Sequence, residues 1–221
     1  MGIEYYVKQL WPVLAISGFF GLVLYVNYYL QRKRTQTLQQ AAMTLGFSFE
    51  EEAPEMFHEN FSLPIFERGH SHHVRNVMRG ETAGTESLFF DFRYTVGHGK
   101  HSSTSNQTIA AFHLANGKLC GFELRPEFIF HQLTEPFGYH DIDFPENPVF
   151  SKKYFLCSES EAAVRNLFNM EVLQFFENAS GWCVQANQEW LIVYRSAKLV
   201  KPENFQQFVS EMSNILRLFH Q

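Results

Sequence analysis

Cysteine is scarce in this sequence, with three among 221 residues. Cys120, Cys157 and Cys183 lie far apart, and no two of them form a CxxC pair. A disulfide framework needs an even set of cysteines and a zinc ribbon needs closely spaced pairs, so the sequence excludes both classes. We therefore expect reduced thiols, which are typical of a reducing compartment.

The sequence also lacks the signatures of the common enzyme classes. It contains no Walker A motif, no GxGxxG, GxSxG or HExxH motif, and no protein-kinase set. An enzyme would have to assemble its site from dispersed residues. A non-catalytic protein without a cofactor is therefore the simpler expectation.

The chain also has no overall excess of positive charge. The chain has a formal net charge of -5, and this charge is unevenly distributed. Residues 1–34 carry one acid and four bases, three of them in the triplet Arg32, Lys33 and Arg34, so the other 187 residues sum to -8. Because non-specific nucleic-acid binding depends on neutralising phosphates, such an acidic body argues against it.

The chain does contain a long uncharged stretch, residues 10–30, with the sequence LWPVLAISGFFGLVLYVNYYL. At about 1.5 Å per residue, a helix of this length matches the roughly 30 Å hydrocarbon core of a bilayer, so the stretch predicts a transmembrane helix. By the positive-inside rule, the basic triplet predicts a short external N-terminus over 1–9 and a cytoplasmic C-terminal part. Ser17 and Gly21 form a small-xxx-small step that favours close approach of a second helix, as in a homo-dimer.

The rest of the chain is predicted to hold two further units. Apolar residues at 38, 41, 42 and 45 recur at helical spacing, which predicts a juxtamembrane helix over 31–46. Residues 47–221 contain no repeat and no low-complexity linker, so they are predicted to form one cytoplasmic α+β domain. We expect a mainly antiparallel sheet with two or three packed helices, the last of them an amphipathic helix that begins near Pro202.

Alternation and turn signals predict parts of the sheet. From 88 to 96, apolar residues alternate with polar ones, so one face of this strand is predicted to be core. Asp91 and Arg93 lie on the other face, where they are expected to pair with each other or across strands. A hairpin is also expected around Asn187-Gln188.

The dipeptide Asn116-Gly117 is the strongest local turn signal in the chain. It predicts a two-residue hairpin between strands at 108–115 and 118–124. The resulting register sets His113 opposite Cys120, and these two side chains could form a thiolate-imidazole pair. Because this register directs both side chains into the core, an inert thiol beside a hydrogen-bonded histidine is the simpler expectation. The same register places four apolar residues on one buried face: Ile109, Ala111, Phe122 and Leu124.

Six segments carry a family resemblance: VRNVMRGE at 74–81, FFDFRYTVGHGK at 89–100, FELRPE at 122–127, DIDF at 141–144, FSKKYFLCSESEAAVRNLF at 150–168 and LIVYRSAKLVKPENF at 191–205. In these segments the chain resembles an uncharacterised family of bacterial single-pass membrane proteins with a cytoplasmic domain of unknown function. The resemblance covers essentially the whole chain. It implies a bacterial inner-membrane location with the C-terminal domain in the cytoplasm, and it implies no activity or site residue.

Histidines and aspartates supply the weak candidates for metal ligands: His70, His72, His73, His140, Asp141 and Asp143. The first three form an HxHH cluster, and imidazoles at such spacing bind Zn²⁺, Ni²⁺ or Cu²⁺. The last three could converge on a hard cation or act as paired carboxylates. No cysteine or carboxylate completes the histidine spacing and no EF-hand frame surrounds the aspartates, so ordinary loop chemistry explains these residues as well as a metal does.

These features predict a membrane-anchored cytoplasmic binding or scaffold module. Its expected partners are the lipid bilayer, through residues 10–30, and a protein partner or a second copy of the chain, but no nucleic acid. Two alternatives remain open. One is a metal-assisted hydrolase that uses the His and Asp residues, and the other is an assembly subunit of a larger membrane complex.

Overall fold

A computed structural model describes residues 3–54, 57–114, 119–132 and 141–219. Its first element is helix α1, Ile3–Leu45, which runs without a break through the predicted membrane and juxtamembrane segments. Gly46 ends the helix with a φ of +73°, the left-handed conformation that glycine adopts at little cost. The amide of Phe47 then donates to the carbonyl of Ala42 at 2.9 Å.

No helix within these described ranges is both long enough and apolar enough to cross a membrane. The prediction of a transmembrane helix over 10–30 is therefore wrong. That prediction counted residues without charge, and absence of charge is a weaker criterion than hydropathy. Ser17, Asn27 and three tyrosines in the stretch carry polar atoms, which lose free energy in hydrocarbon.

Eight strands in the described part of the chain form one antiparallel sheet. Their order across the sheet is β1-β2-β3-β4-β8-β7-β5-β6. The strands are β1 Ser48–Glu52, β2 His70–Thr82, β3 Thr85–Val96, β4 Ser103–His113, β5 Phe122–Pro126, β6 Tyr154–Ser158, β7 Cys183–Ala186 and β8 Trp190–Tyr194.

Helices cover both faces of this sheet. The remaining α-helices are α2 Pro64–Glu67, α3 Pro148–Lys153, α4 Glu161–Leu167, α5 Met170–Asn178 and α6 Phe205–Phe219. The end of α1 and helices α3 to α6 pack on one face, and α2 packs on the other. Four short 3-10 helices accompany them: Phe57–Phe61, Gly99–His101, Glu127–Gln132 and Pro202–Asn204. A sheet with segregated helices of this kind fits the α+β class.

Among the side chains of α1 whose burial the structure describes, the buried ones lie near its C-terminal end. Leu38 and Ala42 are buried in the core between α1 and the sheet, while Ala41 and Leu45 pack against its edge. The apolar spacing at 38, 41, 42 and 45 therefore marks the face of α1 that contacts the domain. The amphipathic helix expected after Pro202 is also confirmed, because α6 buries eight residues on one side.

The two hairpin predictions have opposite outcomes. Strands β7 and β8 pair around Asn187, whose side-chain oxygen accepts from the amides of Glu189 and Trp190. The hairpin at Asn116-Gly117 is different: residues 115–118 lie outside the described ranges, and β4 pairs with β3 and β8 instead of β5. The predicted register is therefore wrong. Ile109 and Ala111 lie in one core, and Phe122 and Leu124 in the core on the opposite face of the sheet.

Candidate functional site at the base of helix α1

At position 11 and over residues 15–30, the described side chains of α1 are exposed and largely apolar. Helix α1 contacts the sheet from Gln31 onward, where Gln31 accepts a hydrogen bond from Arg75 of β2, and Thr35 is the first of its described side chains to be buried. Before that point, twelve large apolar or aromatic side chains are exposed: Trp11, Ile16, Phe19, Phe20, Leu22, Val23, Leu24, Tyr25, Val26, Tyr28, Tyr29 and Leu30. We call residues 15–30 the exposed apolar segment.

Arg34 fixes the helix to the sheet through Asp91 on β3. The guanidinium Nε and Nη2 each donate to one carboxylate oxygen, both at 2.8 Å. Such a bidentate pair sets orientation as well as distance, because two parallel bonds fix the plane of the guanidinium. Both side chains are mostly buried, at 18% and 13% exposure, so solvent screens this ion pair less than a surface pair.

Two neutral side chains complete the coordination of Asp91. Asn76 donates from Nδ2 at 2.9 Å, and Thr108 donates from its hydroxyl at 2.8 Å. Asn76 lies at an irregularity of β2, between Arg75 and Met78, and has a φ of +53°. A β-bulge of this kind redirects a side chain, which explains how Asn76 reaches the carboxylate of β3. We call Arg34, Asp91, Asn76 and Thr108 the clamp.

The clamp also holds the segment between β8 and α6. Arg34 Nη1 donates to the carbonyl of Val200 at 2.7 Å, and the amide of Val200 donates to the Thr108 hydroxyl at 2.9 Å. One arginine therefore binds a strand of the sheet and a loop 166 residues away in sequence. We call residues 195–201 the strap.

A cleft of about 300 Å³ opens beside the clamp, and two of the three arginines that line it, Arg34 and Arg75, are already paired. Arg75 lies 3.2 Å from Glu51 and 3.4 Å from Glu52, and it donates to Gln31 of α1 at 3.0 Å. Asp91 neutralises Arg34 in the same way. These contacts tie α1 to β1 and β2, so the cleft serves chiefly as a second attachment of the helix.

The three clustered histidines of β2 have different neighbours. His70 bonds to Ser71 and to the carbonyl of Gly97, whereas His72 bonds to His58 at 3.1 Å and to the carbonyl of Arg68 at 2.7 Å. His73 instead lines the cleft beside Arg75. A shift of register between His70 and His73, with Ser71 at a φ of +56°, separates the rings.

The acidic candidates also have ordinary structural partners. Asp141 accepts from the amide of Leu156 at 3.0 Å, and partial burial raises the pKa of its carboxyl. Asp143 is exposed, and His140 lies outside the described residues. Across the described ranges, no group of three or more His, Cys, Asp or Glu side chains is placed to hold a metal ion.

His113 and Cys120 do not share the environment that the hairpin register predicts. His113 lies 3.5 Å from a carboxylate oxygen of Glu86, and its ring packs against Trp190 at 4.9 Å between centroids. Partial burial raises the pKa of the Cys120 thiol, which disfavours the thiolate that a nucleophile needs. Neither observation favours a catalytic pair.

A second buried polar group lies under α2 and is structural. Gln185 accepts from the amide of Ile65 at 3.0 Å and donates to Glu123 at 3.3 Å. Arg125 lies 3.8 Å from Glu123 and stacks over the ring of Phe155. Through Gln185 this group satisfies the amide of Ile65 in the first turn of α2, which has no partner within the helix.

The residues of the clamp were missed in the sequence, although each left a partial signal. Asp91 is an acid in a strand of apolar and aromatic residues, which indicates a partner, but its partner lies 57 residues away. Arg34 belongs to a basic triplet that the positive-inside rule already explained. A sequence pattern within one element does not reveal which element packs against it.

Comparison with known proteins gives a fold likeness. No protein-family model matches the chain, and no curated protein sequence matches it. Among solved structures, the chain is similar to the mycobacterial trehalose monomycolate transport factor A, TtfA, with a TM-score of 0.60 and 16% sequence identity. The match covers 85% of this chain and 97% of that chain. At this identity the likeness shows a shared fold.

Proposed function

We propose that this protein is an accessory binding module that associates with a membrane through helix α1. The observation that carries the proposal is the exposed apolar segment. Soluble monomers rarely expose contiguous apolar surface of more than a few hundred Å², and larger patches mark protein or membrane contacts. The exposed large apolar side chains of the segment include the consecutive residues 22–26, so they are not confined to one side of the helix, although Ser17 and Asn27 interrupt the segment. A surface of this breadth favours contact with lipid over a partner that would cover one face.

The clamp supports this proposal because it makes the segment a rigid extension of the domain. Arg34 is followed in α1 by buried Thr35 and Leu38, so the helix is held from that residue onward. Arg32 and Lys33 are exposed at the same level. Basic residues beside an apolar helix are attracted to anionic lipid headgroups, by about 1 kcal/mol each. The domain would then stand on the membrane surface in a fixed orientation.

The comparison supports the accessory role and the family resemblance supports the location. TtfA is named as a transport factor, and an accessory role of this chain is consistent with that name. The resemblance to bacterial single-pass membrane proteins favours the bacterial inner membrane, with the sheet domain on the cytoplasmic side. Both statements are part of the proposal.

Vesicle flotation tests the membrane association. The full chain, purified in mild detergent, would be mixed with phosphatidylcholine vesicles, and the detergent would be removed before centrifugation. The test variant replaces Phe19, Phe20 and Leu24 by serine. Each of these large side chains would contribute roughly 1.5–3 kcal/mol when it leaves water for the bilayer. Replacing all three should therefore lower the partition coefficient into vesicles by about a thousandfold or more.

The matched control replaces three exposed apolar residues of the domain, Phe128, Val149 and Met170, by serine. This variant should float like the unaltered chain, because it removes similar apolar area away from α1. Equal flotation of the two variants would contradict the proposal, as would an unaltered chain that stays at the bottom of the gradient.

A further inference from the structure

A second cleft lies on the other side of the strap, between the strap and the first turns of α6. Its volume is about 300 Å³, and Trp182 forms part of its wall. The polar side chains that line it come from the strap and from the N-terminal part of the last helix: Arg195, Lys198, Lys201, Asn204, Gln207 and Glu211. We call it the strap cleft.

The strap cleft differs from the cleft beside the clamp in the state of its charges. Arg195, Lys198 and Lys201 face a single carboxylate, that of Glu211. None of the three bases forms an ion pair with any residue that the structure describes. Three unpaired bases around one small cavity create a positive potential that is not neutralised within the described chain, although the protein as a whole is acidic.

Arg195 is positioned in advance for an anion. Its guanidinium carbon lies 4.0 Å from the centre of the Trp182 ring, and Trp182 is buried. Stacking of this kind covers a face of the guanidinium and leaves its in-plane N–H groups directed outward, toward a ligand. The Nε of Arg195 is buried and has no hydrogen-bond partner among the described residues, so the groups that a ligand can reach are those at the outer end of the guanidinium.

The strap holds the two lysines in place because its backbone is fixed by β4. The amide of Ala197 donates to the side chain of Gln107 at 3.2 Å, and the carbonyl of Lys198 accepts from the amide of Thr108 at 3.1 Å. Ala197 has a φ of +53°, an unfavourable conformation that persists because these bonds determine it. A preformed site loses less conformational entropy on binding than a mobile loop.

The first turns of α6 form the other wall of the strap cleft. The 3-10 turn Pro202–Asn204 contains Glu203 and leads into this helix of 15 residues, whose own first turn has no acid. Asn204 and Gln207 line the cleft and supply side-chain amides that can donate hydrogen bonds. Together with the three bases, they favour a compact, multiply hydrogen-bonding anion, and phosphate is the biological group with that chemistry.

We propose that the strap cleft binds a phosphate group through Arg195, Lys198 and Lys201. The source of the phosphate is either a soluble phosphate compound or the headgroup of an anionic phospholipid. The headgroup is within reach because the strap bonds to Arg34, only four residues beyond the end of the exposed apolar segment. That second source rests on the proposed membrane association, whereas the phosphate site itself does not.

Two binding measurements on the full chain test the proposal and distinguish the sources. In detergent, inorganic phosphate is titrated by calorimetry against chloride at matched ionic strength. On vesicles, binding is compared between phosphatidylcholine alone and phosphatidylcholine with phosphatidylglycerol. The test variant is Lys198→Gln with Lys201→Gln, two exposed positions whose change leaves the fold intact, and Arg195→Gln is measured beside it. The control, Lys100→Gln with Lys152→Gln, removes the same charge from exposed positions elsewhere.

In the lysine variant we expect a loss of about tenfold or more in one or both of two quantities, because bonds to a charged ligand are lost. These quantities are the affinity for inorganic phosphate in detergent and the gain in vesicle binding that phosphatidylglycerol produces. The control should change either quantity by less than about twofold. A loss in detergent identifies soluble phosphate as a ligand, and a loss only on vesicles identifies the headgroup. The proposal is overturned if the unaltered chain prefers phosphate in neither measurement, or if the control loses as much as the lysine variant.

The same data separate this proposal from the membrane proposal. Binding to phosphatidylcholine alone depends on the exposed apolar segment, so it should be unchanged in the lysine variant. If the unaltered chain does not bind these vesicles, the membrane association fails, while the calorimetric result still decides whether the strap cleft binds phosphate.

Discussion

Replacing Asp91 by alanine should destabilise the protein by about 3 kcal/mol. The carboxylate accepts two bonds from Arg34 and one each from Asn76 and Thr108. Its removal leaves a largely buried guanidinium without a counter-ion and a buried amide without an acceptor. Breaking a buried pair in this way costs about 3–5 kcal/mol, and the lower end applies because Arg34 keeps 18% exposure and its bond to Val200.

Urea denaturation of the full chain in detergent, followed by tryptophan fluorescence, measures this loss. Trp182 and Trp190 both lie in the sheet domain and report its unfolding. The matched control is Glu86→Ala, which removes a carboxylate from the same strand. Glu86 pairs with Arg79 at 3.3 Å, but both side chains are about half exposed, so the change should cost under about 1 kcal/mol. If the two variants differ by less than about 1 kcal/mol, the clamp is not the attachment that its geometry suggests.

Two further perturbations have defined outcomes. Phe122→Ala should lower the free energy of unfolding by roughly 3–5 kcal/mol in the same assay, because its ring packs on Phe168 at 5.2 Å and Phe219 at 5.5 Å; a neutral result would contradict its place in the core. Burial raises the pKa of the Cys157 and Cys183 thiols from 9.0 to about 12. Between these two pH values, both thiols stay protonated in the folded protein, whereas they ionise in the unfolded chain. The difference in pKa between the two states therefore lowers the free energy of unfolding as the pH rises from 9 towards 12, and it has no such effect below pH 9. In the variant with both cysteines replaced by alanine, the urea midpoint should fall less steeply over that interval.

The sequence alone predicted strands where one face is uniformly apolar. Alternation over 88–96 places five residues on one face. The structure buries four of them in the core under α2, Leu88, Phe90, Phe92 and Tyr94, and packs the fifth, Val96, partly buried against that core. The opposite face was harder to interpret because its partners are not local. The ion-pair partner of Asp91 is Arg34 of α1 rather than Arg93, although Asn76 of β2 and Thr108 of β4 also donate to its carboxylate across the strands. Phe89 on the same face packs on α6 through Phe205.

The failed hairpin shows the limit of a turn signal. Asn116-Gly117 favours a tight turn by its own backbone preferences, but strand pairing also depends on which edge is already occupied. Here β8 pairs with β4 at Ile109 and Phe112, so the position beside β4 that β5 was expected to fill is taken. Strand β5 pairs with β6 and β7 instead. That choice comes from residues more than thirty positions further along the chain.

The clamp explains why the two proposed interactions belong to one surface. Thr108 bonds to Asp91 with its hydroxyl and accepts from the strap amide at Val200, while Arg34 bonds to both Asp91 and the strap. The position of α1 and the position of the strap are therefore set by the same four side chains. This network would hold the proposed membrane contact of α1 and the proposed phosphate site of the strap cleft at a fixed separation, so that one orientation of the domain would allow both.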